Sequence, residues 1–171
     1  MDTQLLIGVS GLITSGATIA TLVYATLSFL HAHERQKKQS TIEFYDKISA
    51  GAGSSLRKAI NELLDEYPIE LSYKTISPND PKWIRDHKLQ AKLLRYCRYM
   101  ERFAVGIKIK VYDEKTFYSI SGKPTILLYR QIEKLLDTVD PTNKDDKFSP
   151  EYRILCEKLS IRYYSKKLKE K

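Results

Sequence analysis

The chain has 171 residues, enough for one compact domain with a real core and too few for two large ones. Lys and Arg number 29 against 21 Asp and Glu. The net charge of +8 suits anionic partners, nucleic acid or a phospholipid surface, without choosing between them. Seven Gly and six Pro are too few for a loop-rich β sandwich. Two cysteines, Cys97 and Cys156, sit in apolar helical patterns with no CxxC or Cys/His ligand spacing, which reads as core packing in a reducing compartment and excludes a cysteine metal site.

No charged residue occurs from Leu5 to Leu30. As a helix those residues reach roughly 39 Å, more than the ~30 Å of a bilayer's hydrocarbon core, which predicts a single transmembrane anchor with some tilt. A cleaved signal peptide fits poorly, because Asp2 and no basic residue precedes a run about twice the usual length. Arg35, Lys37 and Lys38 follow the span, placed to meet lipid headgroups. By the positive-inside rule they put the amino terminus outside and everything after His31 in the cytoplasm. The predicted division is residues 1–38 for the anchor and its basic flank and 39–171 for a cytoplasmic helical domain.

Of the 23 residues from Gly8 to Leu30, 13 are Gly, Ala, Ser or Thr. Small residues let helices approach closely in lipid, where hydroxyls bond across the interface. Gly11, Thr14, Thr18, Thr21, Ala25 and Ser28 follow the alternating three- and four-residue spacing of one face. A ring of such helices would turn this stripe inward and line a narrow pore, or pack tightly as a homo-oligomer.

Beyond the flank, Thr41 to Ser49 continues a helical pattern that Gly51–Ala52–Gly53 is expected to break, with Ser54 or Ser55 capping a helix from Leu56 to Tyr67. Asp80 and Pro81 then open the longest soluble helix, whose apolar side reads Ile84, Leu89, Leu93, Leu94, Cys97, Met100, Phe103 and Ala104 until Gly106 closes it. Two helices are predicted next, near Asp113–Ser119 and Pro124–Val139. A last one opens at Ser149–Pro150, with Ser149 at the cap position and the proline after it, and carries Tyr152, Leu155, Leu159 and Tyr163 on one face. No run alternates with period two, so the expected fold is all-α: a membrane helix followed by a compact helical bundle.

Nothing in the chain spells a catalytic centre. His31 and His33 lie two residues apart, on different faces of a helix, and His87 stands alone. No nucleophile elbow, Walker A, zincin or dinucleotide motif occurs, and Pro124 removes the amide that a phosphate loop at Gly122–Lys123 would need. No cofactor or metal is expected. Helical ribonucleases of the HEPN type pair an Arg with a His one to two turns later, and no Arg here has such a partner.

The cations are better organised. Arg85, Lys88, Lys92, Arg95 and Arg102 recur at three- or four-residue steps or their sum, with Tyr99 between the last two. Such a row is either the solvated face of an amphipathic helix or a contact for RNA or a protein partner, with Tyr99 placed to stack on a base. The tail lysines 166, 167, 169 and 171 add charge for anionic lipids.

The stretch Tyr99–Met100–Glu101–Arg102–Phe103–Ala104–Val105–Gly106–Ile107, then Tyr112–Asp113–Glu114, then Leu128–Tyr129, resembles an uncharacterised bacterial family that joins one amino-terminal membrane helix to a small helical domain. In size, topology and Lys/Tyr-rich composition the chain is also similar to the small membrane accessory proteins of CRISPR type VI-B systems, described as divergent HEPN relatives. That resemblance implies an oligomer that perforates the bacterial inner membrane once an RNA-guided effector has been triggered. The competing expectation is a membrane-tethered module that binds RNA or protein and forms no pore.

Overall fold

The computed structural model describes residues 3–65, 77–79, 81–139 and 148–169, and the side chains of 17–62, 77–79, 81, 83–138, 148–165 and 168. Within those residues every regular element is helical and there is no strand: the fold is all-α. The elements are α1 (Thr3–Ile48), a π-helical segment (Ser49–Gly53), α2 (Ser54–Asp65), α3 (Pro81–Arg85), α4 (His87–Lys108), α5 (Glu114–Val139) and α6 (Pro150–Lys169). The chain divides into two compact units, Met1–Gln39 and Ser40–Lys171. Among the described residues no helix is long and apolar enough to cross a membrane. The side chains of residues 5–16, the leading half of the expected span, lie outside them, as do residues 66–76 and Asp80.

Within residues 40–171, α4 is the helix on which the others are assembled. It packs against α2, α3, α5, α6 and the π segment. Leu89, Leu93, Cys97, Met100, Phe103 and Ala104 are buried at helical spacing, as the periodicity predicts, and Tyr96 joins them. Ile84, expected on the same face, is exposed because it belongs to α3. Each large aliphatic or aromatic group removed from water here contributes on the order of 1.5–3 kcal/mol. On α6 the buried face is Tyr152, Leu155, Cys156 and Leu159, with Tyr163 at its edge.

Four boundaries differ from the sequence reading. Gly51–Ala52–Gly53 does not break the helix: the chain stays helical from Ile48 into Ser54 through a π turn. Gly53 has a packing reason, since a Cβ there would lie 3.1 Å from the Ile48 carbonyl oxygen and 3.6 Å from the Tyr96 ring. The long helix is interrupted at Asp86, which leaves helical geometry (φ −91°, ψ 79°) and accepts a 2.9 Å hydrogen bond from the Leu89 N–H. The Gln90 side-chain amide donates to the Trp83 carbonyl at 3.0 Å, capping the end of α3. The segments expected as two helices are one, α5, which carries Pro124 at an exposed position. There the freed carbonyl one turn earlier belongs to the exposed Ile120 and has access to water.

The fourth difference concerns Gly106. α4 continues past it to Lys108, and Lys110, not a glycine, takes the left-handed conformation (φ 65°) that turns the chain. The Val111 N–H returns to the Gly106 carbonyl at 2.8 Å. Gly106 is required for a different reason. A Cβ at this buried position would sit 2.4 Å from the Tyr112 ring. That ring stacks on Phe103 (5.0 Å between centroids) and on Phe44 of α1 (5.1 Å), so admitting a Cβ would disturb both contacts.

Helix entry is equally specific. Asp113 opens α5 as expected, its carboxylate accepting from the Thr116 N–H and hydroxyl at 2.7 Å each. The Asp113 N–H in turn donates to the buried Thr41 hydroxyl of α1 at 2.7 Å. Ser149 was expected to cap α6, but the cap comes from another helix. Glu101 of α4 accepts from the Tyr152 N–H at 2.9 Å and the Glu151 N–H at 3.2 Å. A carboxylate at a helix amino terminus meets both the orphan donors and the positive end of the dipole.

Glu101→Ala leaves two part-buried amides without their acceptor and is expected to cost about 1–3 kcal/mol, with Glu101→Gln costing less because it retains an oxygen acceptor. Gly106→Ala is expected to cost on the order of 1–3 kcal/mol by overpacking. Gly51→Ala, whose Cβ meets nothing within 4 Å, is expected to raise stability by up to about 1 kcal/mol. Denaturant midpoints at unchanged m-values measure all four.

Burial holds the Tyr96 and Tyr152 phenols well above their ordinary range and pushes Tyr129 up to about 12. The three rings form one edge-to-face cluster. Unfolded tyrosines release protons near pH 10 while the folded ones keep them, so the unfolded state binds fewer protons above that pH. Stability is therefore expected to be level through neutrality and to fall above about pH 10 by up to ~1.4 kcal/mol per pH unit for each buried phenol. Phenolate absorbance and helical circular dichroism should change together; phenolate appearing in a still-folded protein would contradict this.

Candidate anion-binding groove

The end of α1 and the π segment lie alongside α4, and between them runs a groove of about 740 Å³. One wall is Phe44, Lys47, Ile48, Gly51, Ala52 and, at the start of α2, Ser55. The other is Lys88, Ala91, Lys92, Arg95 and Tyr99 of α4. A smaller recess of about 290 Å³ continues along the same helix between Ala91, Leu94, Arg95, Arg98, Tyr99 and Arg102. Both lie wholly within residues 40–171.

The groove exists because small residues face each other across it. Gly51 and Ala52 on one side and Ala91 on the other leave the helices unfilled at that level. Phe44 forms part of the lining and is stacked on Phe103 (5.7 Å) and Tyr112. Lys and Arg along the rim lay aliphatic stems on these apolar walls and keep their charged ends in water.

The two recesses bring together six cations, Lys47, Lys88, Lys92, Arg95, Arg98 and Arg102, and among the described residues no carboxylate lines either. Among the described residues none of the six is ion-paired. Three ion pairs lie elsewhere and join α4, α5 and α6: Lys108 with Glu151, Arg153 with Asp137 (2.6 Å) and Lys158 with Glu114 (2.5 Å). Like charges collected at one concave surface raise the local concentration of anions.

Of the cations expected to form one row, Lys88, Lys92, Arg95 and Arg102 line these recesses and Arg85 does not, since Asp86 separates its helix from α4. Lys47 and Arg98 went unread. Arg98 is three residues after Arg95, a spacing that was available in the sequence. Lys47 becomes a neighbour of Lys88 and Lys92 only through packing.

On α1, Thr18, Thr21, Ala25 and Ser28 are exposed, and the side chains of Gly11 and Thr14 lie outside the described residues. The Thr21 hydroxyl donates to the Ala17 carbonyl at 2.8 Å within its own helix. His31, His33, Arg35 and Lys38 are exposed, and Lys37 is half-buried. Lysines 166, 167, 169 and 171 lie outside the described side chains.

Other chemistry is not assembled. His87 faces Gln90 at 3.4 Å on the surface. Cys97 and Cys156 are fully buried, and burial drives both thiols far above their ordinary range. Among the described residues no group of His, Cys, Asp or Glu is arranged to hold a metal ion.

Fold and groove together define an all-helical domain with one strongly cationic, partly apolar cleft. The chain belongs to the family described as a domain of unknown function, DUF4760, whose family model matches residues 13–159. The match begins inside α1 and ends in α6, so it takes in the whole groove. No curated protein and no solved structure matches the chain.

Proposed function

We propose that the protein is a membrane-tethered binding module that holds RNA by its phosphates along the α4 groove. The observation that carries this reading is the set of six cations on two continuous recesses, with no acidic residue among the described residues that line them. From Lys88 to Arg102 the row extends about 21 Å along the helix, long enough for several phosphates of a single strand. Tyr99, exposed between Arg95 and Arg102, offers a ring to an unpaired base.

The tether is supported by the composition and exposure of α1. Ile19, Leu22, Val23, Tyr24, Leu27, Phe29 and Leu30 are each more than half exposed, a band of large apolar surface that water penalises and lipid does not. Together with the uncharged run from Leu5, this favours a single-pass anchor with the basic flank at the headgroups and the domain on the cytoplasmic side.

A second reading uses the same helix differently. Exposed Thr18, Thr21, Ala25 and Ser28 form a small, hydroxylic stripe on which copies would pack into a ring. Such a ring would open an inner-membrane pore in support of antiphage defence, as the likeness to the CRISPR accessory proteins implies. The intrahelical bond of Thr21 favours the simple tether, because it satisfies the hydroxyl without a neighbouring helix.

Two variants separate the readings. Charge reversal at Lys88, Lys92 and Arg95 is expected to weaken binding of a fluorescent single-stranded RNA on the order of 100-fold, and Lys134→Glu on α5 to leave it nearly unchanged. Equal effects of the two would overturn the groove as the RNA site. Thr14→Leu/Thr18→Leu/Thr21→Leu is expected to leave RNA affinity unaltered and the detergent-solubilised mass the same as that of the parent. A large parental oligomer that collapses in this variant would favour the pore instead.

A further inference from the structure

The groove is more than a track of charge. Its lining is apolar on both sides, with Phe44, Ile48 and Ala52 on one and Ala91 on the other, and four cations, Lys47, Lys88, Lys92 and Arg95, share it. A bare phosphate would leave the apolar walls unused. A fatty acid or a simple phospholipid head would leave most of the charge unanswered. A ligand with a planar aromatic part and several phosphates answers both, and about 740 Å³ is within the size range of small-molecule sites.

Tyr99 adds a second, independent observation. The other described tyrosines of α5 and α6 at the surface have their rings occupied: Arg162 lies over Tyr118 at 4.2 Å, Arg130 over Tyr164 at 4.7 Å, and Tyr163 packs edge-on against Tyr164. Tyr99 is 41% exposed at the mouth of the groove and, among the described residues, has neither a ring nor a cation against it. An aromatic face held between two arginines and left uncovered is a stacking platform for a base.

We infer that the larger recess is a nucleotide site: the base stacks on Tyr99, and a di- or triphosphate is held between Lys47 on the α1 side and Lys88, Lys92 and Arg95 on α4. The inference rests on the reading of the α4 face as a phosphate-binding surface and assigns what occupies the larger recess. The same chemistry is presented by a free nucleotide and by the 5′-triphosphate end of an RNA strand.

The test is fluorescence polarisation of the full chain in detergent with N-methylanthraniloyl-labelled ATP. It is displaced by ATP, by inorganic tripolyphosphate, and by one RNA decamer carrying either a 5′-triphosphate or a 5′-hydroxyl. ATP is expected to compete about tenfold better than tripolyphosphate. Tyr99→Leu is expected to remove that advantage while leaving tripolyphosphate competition unchanged. Lys47→Glu is expected to weaken ATP about tenfold and the 5′-hydroxyl RNA far less, since Lys47 stands off the α4 row. A decamer favoured about tenfold by its 5′-triphosphate assigns the strand end as the source, and equal decamers with tight ATP assign the free nucleotide; either supports the site. Equal competition by ATP and tripolyphosphate, or no effect of Tyr99→Leu, overturns it. If the RNA binds through Lys88, Lys92 and Arg95 while ATP does not bind, the nucleotide site alone fails. If neither binds, the underlying reading fails with it.

Discussion

The arrangement of the domain turns on a missing side chain. Because Gly106 carries no Cβ, the Tyr112 ring lies directly on α4, where Phe103 and Phe44 stack against it. That three-ring packing joins the end of α1, the body of α4 and the turn into α5. Thr41 reinforces the same junction from α1 by accepting the Asp113 N–H. The groove follows from this junction. Phe44 is at once a member of the stack and part of the groove lining, beside Lys47 on α1. A Cβ at position 106 would have to displace the Tyr112 ring from this stack.

Much of this was legible in advance, and the failures have physical causes. The period of Leu89, Leu93, Cys97, Met100 and Phe103 located the buried face of α4, and Tyr152, Leu155 and Leu159 located that of α6. A helix was expected to start near Asp113, and its carboxylate caps the one that does. The glycines misled because they were read for backbone freedom. None of the described glycines has positive φ; Gly106 and Gly53 make room for aromatic rings from other parts of the chain, which no local pattern reveals. Ser149–Pro150 carried the local signature of a cap, yet Glu101, some fifty residues earlier, does the work. Asp86 was passed over because the apolar repeat seemed to run through it, although an Asp three residues before Leu89 satisfies the N-cap spacing.

The cationic face was half legible for the same reason. Helical spacing on one element names Lys88, Lys92, Arg95 and Arg102, but the apolar wall opposite them and Lys47 depend on how α1 and the π segment pack. A solvated amphipathic face and a binding cleft share one sequence pattern. They differ in whether something stands across from it. Here something does, and its small residues keep the space open. The family match spans the groove and the latter part of the apolar helix.

The central claim is that this surface acts through phosphates, and the dependence of RNA affinity on salt tests it most directly. If four or five cations of the groove each displace a counterion from a single strand, log K should fall against log salt with a slope of roughly −3. A slope of that size, with no loss of helical signal over the same salt range, is what the structure predicts. A slope near zero would mean that the cations only face solvent, and that the groove has another purpose.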